Sequence, residues 1–366
     1  MMPARLLVLL GCALVAAQPA RAQDSQFEIP GLGTPGRWES ARARMTAGAF
    51  APFDPTSMVS DAALADIGAL TASVVEGATY REVEAGGTQT WLRSTRYPQF
   101  SVGGPVSHRL VVGGGYSTYL DMSYDVTTRD STVLRGVTQP YTDAIASDGG
   151  VTDLRLAAGY RVGSRLALGL GFHVLTGSTR MSAMRRFDDT TAYLTVDQTS
   201  LVRYSGLGVS GGALLSVTPA LSLAAFARSD GPLSAYVADT LVRRSNLPIT
   251  AGGAVRWLLG AKARLAGSVT WRSWSRTGPN AFDTVNWSAG LELGETRPLR
   301  LGVRGGQLPF GAGPSAPTEW GAVLGTGRVV AGGRGLVDLG LERLSRSSGA
   351  VQEVAWTLIV GLTVRP

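Results

Sequence analysis

Between Val354 and Val364 every second residue is large and apolar. The members of this set are Val354, Trp356, Leu358, Val360, Leu362 and Val364. The residues between them are small or polar, with the exception of Ile359. Because successive side chains of a β-strand point to opposite faces, this segment predicts a strand with one wholly apolar face.

The same alternation recurs along most of the chain and predicts fourteen strands. They cover approximately residues 68–80, 90–103, 108–124, 151–162, 164–179, 199–217, 220–229, 248–258, 262–275, 282–294, 297–308, 318–330, 334–345 and 352–365. The connections after even-numbered strands are short, whereas most connections after odd-numbered strands are longer, and about 26 residues follow the third strand. This arrangement is typical of an outer-membrane β-barrel, and an even strand count places both ends on the short-turn, periplasmic side.

The composition excludes two other classes of protein. Hydrophobic residues make up 44% of the 366 residues and charged residues only 17%, which is too apolar for a disordered chain. Beyond the N-terminus there is no apolar run of about 18 residues, so a helical membrane protein is also excluded. A soluble β-sandwich or propeller would carry polar outer faces, but here the apolar face is nearly uninterrupted. The fold class predicted is therefore all-β, a transmembrane antiparallel barrel whose polar face lines a lumen.

Residues 1–22 have the pattern of a secretory signal peptide. Arg5 precedes an apolar stretch from Leu6 to Ala17, and Ala20-Arg21-Ala22 provides a small-x-small cleavage site. A lipoprotein signal at Cys12, the only cysteine, is the alternative, although it leaves an apolar core of only five residues.

The segment 23–66 precedes the predicted barrel, which spans 67–366. It contains a helix-like stretch from Trp38 to Met45 and several apolar side chains. An extension of this length either hangs in the periplasm or folds into the lumen as a plug, and its apolar content favours packing. The predicted plug residues are Phe50, Phe53, Met58 and Asp61.

Several loose motifs carry a resemblance to a known family. They are Gly31-Leu32-Gly33, the stretch Asp54 to Leu64 just before the first strand, Pro98-Gln99-Phe100-Ser101 before a glycine-rich third strand with Tyr116, Trp287-Ser288-Ala289-Gly290-Leu291-Glu292-Leu293, and Leu299-Arg300-Leu301-Gly302-Val303. Together they resemble the FadL-type family of outer-membrane transporters for long-chain fatty acids and other hydrophobic compounds. The resemblance implies fourteen strands and an N-terminal luminal plug. The family usually has Asn-Pro-Ala where this chain has Asp61-Ala62-Ala63.

The sequence shows no recognisable catalytic or metal-binding motif. It has two histidines, of which His108 follows a short turn and His173 is predicted to face the lumen. An outer-membrane lipid hydrolase would need a nucleophile, a base and an orienting group in contact, and only Ser178 lies near His173 in sequence. We therefore predict no catalytic residue, no metal and no cofactor. The absence of a basic cluster with interleaved aromatics also excludes nucleic acid.

Lumen-facing cations are the candidate ligand-binding residues. They are Arg155, His173, Arg228, Arg256, Arg272, Arg300 and Arg304. One interpretation is a ladder of salt bridges, with carboxylates such as Asp153 and Glu292, that stiffens the barrel and holds the plug. The other is that one unpaired arginine receives a carboxylate head group, since a guanidinium binds carboxylate through two parallel hydrogen bonds.

Three consecutive glycines in the third strand, Gly113, Gly114 and Gly115, are candidates for a kink. The family mechanism implies that a kinked strand beside the plug opens a lateral exit for an apolar ligand. A second glycine-rich stretch, Gly206 to Gly212, is the alternative place for such a kink.

The predicted function is passive uptake of hydrophobic small molecules, such as long-chain fatty acids, across the bacterial outer membrane. A protein shuttle or surface attachment protein of a secretion system, and a general porin, are the alternatives. The expected partners are the hydrophobic ligand, outer-membrane lipids with lipopolysaccharide, and the barrel assembly machinery. Exposed Trp and Tyr residues are predicted to form interfacial girdles.

Overall fold

The computed structural model describes Phe27 and residues 31–85, 88–311, 313–349 and 351–365, without the side chains of residues 85–98. The predicted signal peptide, residues 1–22, lies outside the described residues.

Within these ranges eighteen strands form one antiparallel sheet. They are β1 (Thr34–Pro35), β2 (Thr71–Ala85), β3 (Thr88–Pro105), β4 (Leu110–Asp121), β5 (Tyr124–Leu134), β6 (Val137–Arg161), β7 (Leu166–Phe187), β8 (Val196–Ser216), β9 (Leu221–Asp230), β10 (Leu233–Val237), β11 (Thr240–Ser245), β12 (Ile249–Leu259), β13 (Ala263–Arg272), β14 (Thr284–Leu293), β15 (Leu299–Gln307), β16 (Thr318–Val330), β17 (Gly335–Ser348) and β18 (Val351–Val364).

Fourteen of these strands close into a barrel. The order is β2-β3-β4-β6-β7-β8-β9-β12-β13-β14-β15-β16-β17-β18, and β18 pairs with β2 from Gln352 opposite Glu84 to Val364 opposite Ala72. Each predicted strand overlaps one strand of this barrel, so the fourteen-strand prediction is confirmed. Closure satisfies the backbone groups that an open edge would leave unpaired in lipid.

The other four strands lie outside the predicted set. The prediction of a loop of about 26 residues after the third strand is wrong, because in this region β5 pairs with the first part of β6 as a hairpin. Likewise β10 and β11 form a hairpin that pairs with β8. These hairpins carry polar residues on both faces, so they lack the apolar alternation by which the barrel strands were recognised.

The two faces of the barrel wall differ in polarity. On β7 the outward residues Leu168, Leu170 and Phe172 are exposed, whereas His173 and Leu175 face inward and are buried. The aromatic residues predicted for the girdles are all at least one-third exposed: Tyr116, Tyr160, Trp257, Trp271, Trp287, Trp320 and Trp356. Among the described residues, none of the helices is long and apolar enough to cross a membrane.

Residues 31–67, here called the inner segment, lie inside the barrel. They contain β1, one turn of helix α1 (Ala41–Arg44) and the 3-10 turns Ala51–Phe53 and Asp61–Asp66. Helix α1 begins after Ser40, whose hydroxyl accepts a hydrogen bond from the Ala43 N–H. The helix contacts β17, β18 and β2, the first 3-10 turn contacts β9 and β12, and the second contacts β4, β6, β7 and β8. The barrel wall therefore surrounds the segment.

Glycines in the wall allow the inner segment to approach the strand backbone. A Cβ at Gly302 would lie 2.4 Å from the carbonyl carbon of Thr46, and one at Gly169 would lie 2.2 Å from the amide nitrogen of Ala62. Real Cβ atoms do not approach other atoms this closely, so only glycine fits at these two positions. The glycine-rich inward face therefore provides a surface against which the inner segment packs.

Candidate functional site

Glu292 on β14 is the centre of a buried ionic cluster. Its two carboxylate oxygens accept hydrogen bonds from Arg42 of the inner segment at 2.8 Å, from Arg264 at 2.9 Å and from Arg300 at 2.8 Å. Arg300 also donates to Asp338 on β17. One carboxylate thus joins three strands of the wall and the inner segment.

A second ionic cluster holds the start of the inner segment. Arg37 donates two hydrogen bonds of 2.8 Å to Glu342 on β17 and one of 3.2 Å to Glu39. Burial favours the neutral form of Glu39, but the positive charges of Arg37 and Arg44 outweigh burial and lower the pKa of this carboxyl to about 2. Arg304 on β15 pairs with both Glu342 and Glu319.

A third cluster surrounds His173 on β7. The Nδ1 atom of His173 lies 2.9 Å from Asp153 on β6, and its Nε2 atom lies 2.8 Å from the hydroxyl of Ser210 on β8. The same hydroxyl donates to Asp61 of the inner segment at 2.6 Å. Arg228 on β9 donates to Asp153. Sequence proximity suggested Ser178 as the neighbouring hydroxyl, but the strand register brings Ser210 to the ring instead.

The order Asp153–His173–Ser210 has the geometry of a hydrolytic triad. However, the Ser210 hydroxyl donates its proton to Asp61, and it therefore does not give that proton to the histidine. The arrangement therefore joins the inner segment to the wall through the contact of Ser210 with Asp61.

Two further arginines hold the same turn of the inner segment. The guanidinium of Arg155 lies 3.3 Å from Asp61, and that of Arg161 donates to Asp66 at 2.6 Å and to the carbonyl oxygen of Ala65 at 2.9 Å. Three of the seven predicted lumen cations, Arg155, His173 and Arg228, therefore belong to the contacts around the Asp61–Asp66 turn and Asp153.

Arg256 and Arg272 differ from the other lumen arginines. Within the described ranges neither has a carboxylate within salt-bridge distance, and the Nε atom of each is buried without a hydrogen-bond partner. Arg256 donates to Ser222 at 3.2 Å and lies over the ring of Phe53. Arg272 lies over the ring of Trp38, 5.0 Å from its centroid.

Arg272 borders a cavity of about 140 Å³ between the inner segment and the wall. Its apolar boundary includes Trp38, Trp274, Phe226 and Leu308. Trp274 packs edge-on against Phe310, with ring centroids 5.4 Å apart, and Trp38 stacks on Tyr119 at 5.9 Å. The cavity therefore combines aromatic walls with charged side chains, of which Arg272 has no ionic partner, whereas Arg37, Glu39, Arg304, Glu319 and Arg346 are paired.

The aromatic walls were missed by sequence reasoning, although a signal for one of them was present. Trp274 follows Arg272 by two residues, so the alternation of the strand predicts that both side chains point inward, even though β13 ends at Arg272. Trp38 had no such signal, because its place depends on how the inner segment folds within the barrel. Two wider openings, of about 670 and 480 Å³, lie at the short-turn end and are both bordered by Arg256.

The predicted plug residues and the candidate kink lie as follows. Phe50, Phe53, Met58 and Asp61 are all buried. Gly113, Gly114 and Gly115 pair regularly with β3 and β6. In the stretch Gly206 to Gly212, β8 likewise pairs with β7 without a register shift.

An irregularity of β4 occurs closer to its end, between Thr118 and Leu120. There the strand turns inward, burying Tyr119 and Leu120, and pairs with β1 through Asp121 opposite Thr34. Gly33, at φ +82°, allows this approach, because a Cβ there would lie 2.1 Å from the Asp121 carbonyl oxygen. The last pair between β3 and β4 is Gln99 with Ser117.

Comparison with solved structures identifies the fold. A FadL homologue from Pseudomonas aeruginosa superposes with a TM-score of 0.63 at 14% sequence identity, over 92% of this chain and 99% of that chain. The chain has the fold of a FadL homologue. The P. putida toluene transporter TodX gives a TM-score of 0.61 at 12% identity over 91% and 99% of the two chains. The monoaromatic hydrocarbon channel CymD gives 0.59 at 12% over 94% and 99%.

The predicted FadL-type resemblance and the outer-membrane barrel are thus confirmed at the level of fold. No family model matches the chain, and no curated protein matches it in sequence. Two of these neighbours are described as transport proteins, CymD as a monoaromatic hydrocarbon channel and TodX as a toluene transporter. In the part of the chain that the structure describes, no group of three His, Cys, Asp or Glu residues could hold a metal ion.

Proposed function

We propose that this barrel is a channel for passive uptake of hydrophobic small molecules across the outer membrane, and that the inner segment is its plug. The observation that carries the proposal is the aromatic cavity beside Arg272, which lies between the inner segment and the wall. A cavity of about 150 Å³ has room for one benzene molecule, and here charged side chains such as Glu39 and Glu319 share the lining with the aromatic rings. A volume of about 140 Å³ therefore suits one aromatic ring and is too small for a whole long acyl chain.

The ligand class favoured by this cavity is a single-ring compound, with or without an acidic group. Trp38 and Trp274 supply flat apolar walls, and Arg272 supplies an unpaired guanidinium. A carboxylate on the ring would satisfy the Nε proton that has no acceptor, through a charge-assisted hydrogen bond. Uptake of long-chain fatty acids, the prediction from the sequence resemblance, remains a prediction that the size of this cavity does not favour.

The exit that we propose is lateral, at the inward turn of β4. Beyond Ser117 this strand no longer pairs with β3, whereas β3 continues to pair with β2 as far as Thr88 opposite Ala85. The inward turn is held by β1 of the inner segment. A movement of the inner segment would therefore widen the wall between β3 and β4, next to the lipid.

Calorimetric titration of the purified barrel with toluene and with benzoate tests the ligand class. We expect both compounds to bind, and Arg272→Gln to weaken benzoate about 10- to 100-fold while leaving toluene nearly unchanged, because a hydrogen bond to a charged group contributes about 1.5–3 kcal/mol. Arg297→Gln, in an exposed turn, is the matched control. Absence of binding by either compound, with the barrel folded, contradicts the proposal.

A further inference from the structure

One arginine of β17 lies on the lipid-facing side of the barrel wall. Arg343 shares the outward direction of Leu339 and Leu341, which are exposed, whereas its neighbours Glu342 and Leu344 point inward and are buried. The acidic residues of β16, β17 and β18 all point inward and are buried: Glu319, Asp338, Glu342 and Glu353. Within the described residues, Arg343 therefore has no carboxylate of its own three strands beside it.

Two tryptophans enclose the guanidinium of Arg343. Trp356 of β18 lies directly opposite this residue, and Trp320 of β16 lies diagonally opposite, across from Ser345. The guanidinium carbon is 5.4 Å from the ring centroid of Trp320 and 5.9 Å from that of Trp356. Cation–π attraction holds the planar group between the two rings. The residue directly opposite on β16 is Ala322, whose small side chain leaves space beside the guanidinium.

Arg343 lies where the outward residues of β17 change from apolar to polar. They are apolar from Val337 to Leu341, and beyond Arg343 they are Ser345 and Ser347. The barrel begins and ends at the short-turn, periplasmic end, so this residue lies towards the end that faces the outside. Aromatic girdles mark the boundary of the membrane, and a lipid-facing arginine is least unfavourable at that boundary.

The outward carboxylates on the next strand do not pair with Arg343. They are Glu76, Glu82 and Glu84 of β2, which lie opposite Val360, Val354 and Gln352 of β18. β18 separates them from β17, and two strand spacings amount to about 10 Å. Among the described side chains, none of these carboxylates is within salt-bridge distance of Arg343. The anion that neutralises the guanidinium must therefore come from outside the barrel wall.

We propose that Arg343, Trp320 and Trp356 form a binding site for a phosphorylated lipid of the outer leaflet. At the boundary of the membrane the available anions are lipid head groups. A guanidinium can donate two parallel hydrogen bonds to one phosphate, and it keeps its stacking on aromatic rings while doing so. Lipopolysaccharide, whose lipid A part carries phosphates on its sugars, is such a lipid. The inference is independent of which ligand passes through the barrel.

Native mass spectrometry of the full chain in mild detergent, titrated with diphosphoryl lipid A, tests the site. We expect Arg343→Gln to weaken the binding of this lipid about 10- to 100-fold, because hydrogen bonds to a charged group are lost. Arg328→Gln is the matched control, since Arg328 is an exposed, outward arginine of β16 towards the short-turn end. Equal affinities of the parent and Arg343→Gln, or an equal loss in Arg328→Gln, overturn the proposal.

Dephosphorylated lipid A tests which part of the lipid is recognised. We expect the parent to bind this probe as weakly as Arg343→Gln binds the diphosphoryl form, because the guanidinium then has no phosphate to pair with. The affinity of Arg343→Gln should be nearly the same for both probes. If the parent binds the two probes equally well, the acyl chains alone hold the lipid and the proposal is wrong.

The depth of the site is measured by quenching the fluorescence of Trp356 with brominated phospholipids in vesicles. Subtracting the signal of the Trp356→Phe variant isolates this residue. We expect bromines near the head group to quench it more strongly than bromines near the chain ends, because its ring contacts Arg343 at the boundary of the membrane. Stronger quenching by the terminal bromines would place the guanidinium out of reach of a phosphate and would overturn the proposal.

Discussion

Arg42 of the inner segment donates two hydrogen bonds of 2.8 Å to Glu292 of the barrel wall. The two residues lie 250 positions apart in the chain. Glu292 also neutralises Arg264 and Arg300, so its removal would leave three guanidinium groups with too little negative charge.

We expect Glu292→Gln to lower the free energy of unfolding by about 3–5 kcal/mol, the usual effect of breaking a buried ion pair. Urea titration of the barrel in lipid vesicles measures this change. Glu295→Gln is the matched control, because the Glu295 side chain is mostly exposed and its contact with Arg264 is 3.6 Å. Equal stabilities of the two variants would contradict the central place of Glu292.

The close packing of Thr46 on Gly302 gives a second prediction. An added Cβ at Gly302 would lie 2.4 Å from backbone, which cannot yield without a shift of the inner segment. We expect Gly302→Ala to destabilise the protein by about 1–3 kcal/mol and to increase hydrogen exchange around Thr46. Gly253→Ala is the control, since the nearest atom to its Cβ is 3.6 Å away. If both variants behave alike, the inner segment does not rest on the wall at this point.

The pair Thr34 and Asp121 allows the inner segment to be fixed covalently. Opposite residues of antiparallel strands lie within the Cα separation that a disulfide spans. The only natural cysteine is Cys12, within the predicted signal peptide. We expect oxidised Thr34→Cys/Asp121→Cys to abolish uptake of labelled toluene into cells, and a reductant to restore it. Full uptake by the oxidised double variant would mean that β1 need not leave β4.

Acid should loosen the start of the inner segment through Glu39. Its pKa is lowered from the ordinary 4.5 to about 2, so its ionised form stabilises the folded state. This contribution is complete above pH 4.5 and is lost as the pH falls towards 2. We expect the fluorescence of Trp38, obtained by subtracting that of the Trp38→Phe variant, to change in this acid range. In Glu39→Gln the acid change should be absent, and a change that persists there would have another origin.

The amino-acid sequence alone determined the barrel. Alternation of apolar and polar residues is a local property of the sequence. Each barrel strand can therefore be recognised from its own residues, independently of the other strands. The same alternation predicted that Trp271 is exposed and that Arg272 faces inward, without information on the residues around them in the fold. It also indicated that His173 faces the interior.

Tertiary structure alone decided which inward-facing residues meet. Parity gives the side of the wall but not the partner across the lumen, because that partner depends on closure, register and the path of the inner segment. Ser178 is five residues from His173 and so about 17 Å away along a strand, whereas Ser210 reaches the ring through the register of β7 and β8. In the same way Trp38 meets Arg272 only because the inner segment folds back inside the closed barrel.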